Sequence, residues 1–314
     1  MSKYCFGVDL GGTTVKIGLF DPQGTVIEKW EIPTRKEDNG SHILPDIAKA
    51  ILDKIAERQI AKEDVIGVGI GVPGPVDEHG IVHMAVNLGW SVININKVLG
   101  DLLQIPVKAG NDANVAALGE MWCGGGKGCS DMVLATLGTG VGGGIIVNGK
   151  MVTGATGSGG EIGHIHIAEG EPDACGCGAH GCLEQYASAT GIVRLADRVL
   201  ANSEQDSVLR AVKADGKLSA KTVFDAVKEG DHLACEVAEQ FGDYLGKGLA
   251  MIACVVNPEV IVLGGGVSKA GDILCEYVSK YYKKYVFHGC KEAQFRLAIL
   301  GNDAGIYGAA KLVQ

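Results

Sequence analysis

The sequence of 314 residues is poor in positive charge, with 28 Lys and Arg against 37 Asp and Glu and a formal net charge of −9. That balance weighs against a protein that grips a nucleic-acid phosphate backbone. Long hydrophobic runs are missing too. The longest stretch, Leu249 to Leu263, is broken by Asn257-Pro258-Glu259 and falls short of the roughly 20 apolar residues that cross a bilayer. No secretory leader is expected, because Met1-Ser2-Lys3-Tyr4 runs straight into an apolar segment carrying Asp9, an acid that such a leader does not hold in its apolar region. The expectation is a cytoplasmic protein with neither membrane nor nucleic acid as partner. Proline is scarce, at 8 residues, and no low-complexity linker is present. The ten Cys do not form a disulfide framework of the secreted kind. Seven of them (Cys5, Cys123, Cys129, Cys235, Cys254, Cys275 and Cys290) are scattered singly and read as small buried hydrophobes.

What is abundant is apolar material, at 46%, and glycine, at 48 residues. The first excludes a disordered chain. The second implies many positive φ angles or many close backbone approaches, since glycine loses the most entropy on folding.

Hydrophobic periodicity predicts strands over 4–10, 13–20 and 25–32, a helix over 41–58 with Ile43, Ile47, Ile51 and Ile55 on one face, and a buried strand over 65–72. A helix over 96–103, a strand over 107–110 and a helix over 112–122 complete a βαβ pattern. From residue 131 the arrangement begins again, with strands over 132–137, 141–147 and 150–153 around a glycine turn and an Asn148-Gly149 hairpin. Helices over 190–201, 220–229, 231–256, 273–285 and 304–313 and strands over 260–263 and 295–299 follow. Two similar halves point to an α/β protein of two facing lobes. The expected division is 1–112, completed by a C-terminal helix in 302–314, and 113–301.

Three glycine turns stand between paired strands or at a strand end. Asp9-Leu10-Gly11-Gly12-Thr13 and Gly138-Thr139-Gly140 can present bare N–H groups to phosphate oxygens, with Thr139 adding a hydroxyl. Asp9 could hold the hydrated Mg²⁺ of a nucleotide. Gly264-Gly265-Gly266 follows a buried strand and leaves room for an adenosine. None of the three fits Gly-x-x-x-x-Gly-Lys-Ser/Thr or opens a helix as Gly-x-Gly-x-x-Gly, so those nucleotide folds are disfavoured.

Asn111-Asp112 lies at a strand-to-helix junction. There Asp112 is either a general base for a phosphoryl acceptor or simply a helix cap. Cys175, Cys177 and Cys182 put three thiols in one short glycine-rich loop, with His164 eleven residues upstream and His166 and His180 as competing nitrogen donors. Thiolates plus imidazole suit a closed, structural tetrahedral zinc site.

The motifs Asp9-Leu10-Gly11-Gly12-Thr13, Gly71-Val72-Pro73-Gly74-Pro75-Val76-Asp77, Asn87-Leu88-Gly89-Trp90, Asn111-Asp112-Ala113-Asn114, Gly160-Glu161-Ile162-Gly163-His164 and Cys175-Gly176-Cys177-Gly178-x-x-Gly181-Cys182-Leu183-Glu184 run through nearly the whole chain. In this order they resemble the ROK family (repressors, open reading frames, kinases) of the actin-like ATPase and sugar kinase superfamily, and within it the bacterial glucokinase branch. The resemblance implies two actin-like ATPase lobes with an active-site cleft between them and ATP-dependent phosphorylation of a hexose, glucose first, at its 6-hydroxyl. It implies Asp112 as the base and Asp9, Gly11, Gly12, Thr13, Gly138, Thr139, Gly140, Gly264, Gly265 and Gly266 around ATP and Mg²⁺. It also implies Asn87, Asn111, Asp112, Glu161, His164 and Glu184 around the sugar, zinc on His164, Cys175, Cys177 and Cys182, and a homodimer or a dimer of dimers. The family also contains sugar-responsive repressors, which carry a helix-turn-helix ahead of the first motif. With that motif at Asp9 and an acidic chain, the kinase is the expected reading, with N-acetylmannosamine kinase as the nearest rival. Lys16 and Trp90 read as a strand-surface cation and a core aromatic.

Overall fold

The computed structural model describes residues 3–83 and 85–314, so the Met1-Ser2 start used above lies outside the described residues. The chain clusters into two compact units, Met1–Gly128 with Gly144–Gly160 and Leu300–Gln314, and Cys129–Gly143 with Glu161–Ile299. The first part of the chain forms β1 (Tyr4–Leu10), β2 (Thr14–Phe20), β3 (Val26–Pro33), a single turn α1 (Glu37–Gly40), α2 (Ile43–Glu57), β4 (Val65–Val72), β5 (Ile81–Val82), β6 (Ile93–Asn94), α3 (Ile95–Leu103), β7 (Val107–Asn111) and α4 (Asp112–Cys123). Next come β8 (Met132–Leu137), β9 (Val141–Val147), β10 (Lys150–Met151), α5 (Glu184–Ala187), α6 (Ala189–Ala201), α7 (Val208–Ala214), α8 (Ala220–Lys228) and α9 (His232–Val256). β11 (Val260–Gly264), α10 (Asp272–Tyr285), β12 (Gln294–Leu297) and α11 (Ala304–Leu312) end the chain. Among the described residues no helix is long and apolar enough to cross a membrane.

The first sheet has the order β3-β2-β1-β4-β7. Its hairpin strands are antiparallel and β1, β4 and β7 run parallel. Parallel central strands are covered on both faces, which is why β1 and β4 read as nearly unbroken apolar runs. On one face Phe6, Val8, Leu10, Ile70 and Val72 form a core with the isoleucines of α2 and with Leu99 and Leu103 of α3. On the other, Cys5 and Phe20 meet Ile306 and Ala310 of α11.

Here the glycine content finds much of its use. A Cβ at Gly7 would run into the Ile306 carbonyl, one at Gly69 into that of Ala309, and one at Gly308 into that of Val115 on α4. The glycines therefore let a helix backbone lie directly on the sheet and on α4. This packing also explains why residues 113–128 cluster with the first unit, whereas the expected division fell after residue 112.

The second sheet has the order β10-β9-β8-β11-β12, the same spatial sequence of third, second, first, fourth and fifth strand. That shared order is the internal repeat read from the sequence. β11 is buried along its length between parallel β8 and β12. Helix α9 starts on the Asp231 cap, whose side chain accepts the Ala234 N–H, and ends where Asn257 turns left-handed before Pro258.

Candidate active site and metal centre

In the first unit β1 ends beside the first glycine turn. Gly11 donates its N–H to the Thr14 carbonyl at 3.1 Å, and Thr34 Oγ1 donates to the Gly11 carbonyl at 2.7 Å. Gly12 and Thr13 are exposed, and nothing lies near a Cβ placed on Gly12. The turn is thus held from behind and open in front. Asp9 sits opposite Lys16 in the β1–β2 register, and the Lys16 ammonium donates to the Asn302 carbonyl at 3.0 Å. Burial pushes the Asp9 carboxyl above the usual carboxylate range, with Lys16 opposing the shift and Asp112 adding to it. Below the unfolded-state pKa both states hold the proton, and as pH rises through the raised folded pKa a buried charge must form and stability is lost. Asp9→Asn removes that penalty. Its Tm is therefore expected to exceed the wild-type Tm near pH 7, with the gap closing towards roughly pH 4. Calorimetric scans at the two pH values check this, and equal Tm values near neutrality would contradict it.

At the β7–α4 junction the capping role open to Asp112 falls to its neighbour. The cap of α4 is Asn111, whose Oδ1 accepts the Asn114 N–H at 3.0 Å. Asp112 is the first helical residue. Its Oδ1 accepts from the Ala113 N–H at 2.8 Å and from Asn111 Nδ2 at 3.1 Å. Asn111 Nδ2 also donates to the Gly74 carbonyl at 3.1 Å, so both of its amide hydrogens are used inside the protein. Asn87 is exposed on a short turn over Val86–Leu88. Trp90 is buried and donates its indole N–H to the Gly40 carbonyl at 3.2 Å, as a core aromatic.

In the second unit the Gly138–Gly140 turn is fastened by the start of α6. The Ala189 N–H donates to the Gly138 carbonyl at 2.7 Å, and Thr190 Oγ1 donates to the Thr139 carbonyl at 2.8 Å. Gly265, at φ +80, backs onto Leu137, where a Cβ would meet its backbone N at 2.6 Å. Gly266 faces open space and lines a cavity of about 130 Å³ together with Ala220, Phe224, Val267 and Lys269.

His164, Cys175, Cys177 and Cys182 bring their four donor atoms within 4.8 Å of one another. His164 Nδ1 faces Cys175 Sγ at 3.7 Å, and Cys177 Sγ lies 3.7 Å from Cys182 Sγ. The competing histidines point elsewhere. His166 Nδ1 pairs with the His180 carbonyl and His180 Nδ1 with the Glu171 carbonyl, each at 2.9 Å. Burial and the neighbouring thiols push Cys182 up to about 12, while the Ala179 N–H holds Cys177 below its ordinary value. Three thiols and one imidazole in this compass fit a four-coordinate, thiolate-rich metal.

Glu184 closes the loop, and its placement was not legible in the sequence. Its Oε2 accepts the Val141 N–H at 3.0 Å, and Cys175 Sγ donates to its Oε1 at 3.7 Å. The carboxylate thus ties the thiol cluster to the second glycine turn. Glu161 precedes the turn over Ile162–His164 and is exposed.

Two sheets of one strand order, each with its glycine hairpin, define the actin-like fold of sugar kinases. A model of the ROK family matches residues 5–314. The chain belongs to that family. It is 43% identical to a glucokinase of Halalkalibacterium halodurans over 99% of this chain and 95% of that protein. It is 36% identical to a glucokinase of Thermotoga maritima over 98% and 96%. Among solved structures, a ROK family glucokinase from Streptomyces griseus in complex with glucose and AMPPNP aligns with a TM-score of 0.73, 34% identity and 98% coverage of both chains.

Proposed function

We propose that the chain is an ATP-dependent hexokinase-type phosphotransferase that acts as a glucokinase, converting glucose and ATP to glucose 6-phosphate and ADP. The observation that carries this reading is the Asp112 carboxylate at the first turn of α4, where Asn111 caps the helix and its amide donates to Asp112 Oδ1. Asp112 would take the proton of the 6-hydroxyl as that oxygen attacks the γ-phosphorus in line. The open backbone of Gly11, Gly12 and Thr13 and of Gly138, Thr139 and Gly140 would accept the phosphates, and Gly264 to Gly266 the adenosine. Asp9 would hold Mg²⁺, which when bound neutralises charge on the phosphates. Asn87, Glu161, His164 and Glu184 would pair with the sugar hydroxyls, each needing a partner once water is expelled. His164 would serve twice, with Nδ1 on the metal and Nε2 left for the sugar. Zinc on His164, Cys175, Cys177 and Cys182 would be structural, since four protein donors leave no open position. A homodimer or a dimer of dimers belongs to the same reading.

The test is kcat/KM for glucose, N-acetylmannosamine, mannose and fructose measured side by side, because specificity is a ratio of those values. Glucose is expected to lead the other three. A lead for N-acetylmannosamine would move the assignment to that kinase while leaving the base and the metal unchanged.

A further inference from the structure

Between His164 and Glu184 the chain forms neither helix nor strand, yet it must hold the acid proposed to meet the sugar. The thiol cluster is one fastening. A second lies away from it, around Glu171. This acid is buried, its side chain only 1% exposed, in a loop of otherwise exposed polar residues. Its carboxylate accepts from Tyr186 Oη at 2.6 Å, from Arg198 Nη2 at 2.9 and 3.0 Å, and from the Asp173 N–H at 3.3 Å. Its own backbone carbonyl is the partner of His180 Nδ1. Tyr186 sits two residues after Glu184 on the single turn α5 and stacks on Tyr244 of α9 with ring centroids 4.1 Å apart. Gln185, between them, donates to the Asp173 carbonyl at 2.8 Å and accepts the Cys182 N–H at 3.0 Å.

No thiol side chain takes part in these contacts. A turn of four residues has no stability of its own, so α5 takes its position from what its side chains reach. Tyr186 and Gln185 both reach the 171–173 segment, and Arg198 anchors that segment to α6. A buried carboxylate with three donors is rigid because each lost bond would leave a buried group unpaired.

We propose that Glu171 is a positioning residue which, through Tyr186 and Arg198, fixes α5 and hence the Glu184 carboxylate for the sugar, independently of any metal on the thiol cluster. The proposal rests on the reading of Glu184 as a sugar contact. It distinguishes two supports of one loop, one that depends on metal and one that does not.

Two variants test it. Tyr186→Phe removes one hydroxyl and keeps the stacked ring, and Glu171→Gln removes the charge at nearly constant volume. In both, KM for glucose is expected to rise about tenfold while kcat and KM for ATP stay within about twofold of wild type, the pattern of a lost ground-state contact displaced from a distance. Metal content should match the wild-type value by elemental analysis. In protein stripped with a chelator, hydrogen exchange at residues 184–187 should stay slow in the wild type and become faster in both variants. Unchanged KM and unchanged exchange in both variants would overturn the proposal, as would loss of metal in step with loss of sugar affinity. A wild type that phosphorylated no hexose would instead sink the kinase reading, and the exchange measurement would still decide the role of Glu171.

Discussion

Asp112→Asn is expected to reduce turnover at least ~100-fold while KM for glucose stays close to wild type, as befits loss of a group that acts in the transition state. The structure makes this substitution unusually clean. The α4 cap is Asn111, so the helix start survives the change. An Asn at 112 keeps an oxygen for the Ala113 N–H that Asp112 now accepts at 2.8 Å. What the change removes is the negative charge, which Asp9 also feels, and with it the ability to take up a proton. Steady-state kinetics with glucose and ATP check this, and near-normal turnover would remove Asp112 from the role of base.

The second large effect concerns the metal. Purified protein is expected to carry about one zinc per chain, and Cys177→Ala to bind it at least ~100-fold more weakly, because a thiolate donor of a closed four-donor site is gone. Cys177 is the exposed thiol of the cluster, so its replacement leaves little buried volume unfilled. Sugar affinity should fall together with metal content, since His164 is proposed both as a metal donor and as a sugar contact. Elemental analysis beside the glucose KM reads both. Active wild-type protein with no zinc, or a Cys177→Ala protein with full zinc, would contradict the assignment.

Several features were legible in the sequence for a common physical reason: local chemistry decided them. The glycine turns announce themselves by composition, and the isoleucines of α2 by their spacing of four. The cluster of thiols is dense over eight residues, although choosing His164 over His166 and His180 needed the family resemblance. What stayed hidden depends on distant parts of the chain. The sequence left Asp112 as either cap or base, and only the bond from the Asn114 N–H to Asn111 Oδ1 assigns the capping to its neighbour. The glycine excess implied close backbone approaches without naming the partner, and at Gly7, Gly69 and Gly308 that partner comes with α11, which arrives some 300 residues later in the chain than β1. Helix α7 went unread because it buries only Leu209 in seven residues, too little periodicity to stand out. Glu171 carries no motif at all, and its partners at 186 and 198 come together only through the packing of α5 and α6.

The central claim, that this chain moves the γ-phosphate of ATP to the 6-hydroxyl of glucose with Asp112 as base, is tested most directly by phosphorus NMR of a reaction holding glucose, ATP, Mg²⁺ and enzyme. A new sugar-phosphate signal, that of the two anomers of glucose 6-phosphate, is expected to grow in step with ADP in the wild type and at least ~100-fold more slowly with Asp112→Asn. Phosphate on another carbon, ADP accompanied only by free phosphate, or equal rates for the two proteins would contradict it.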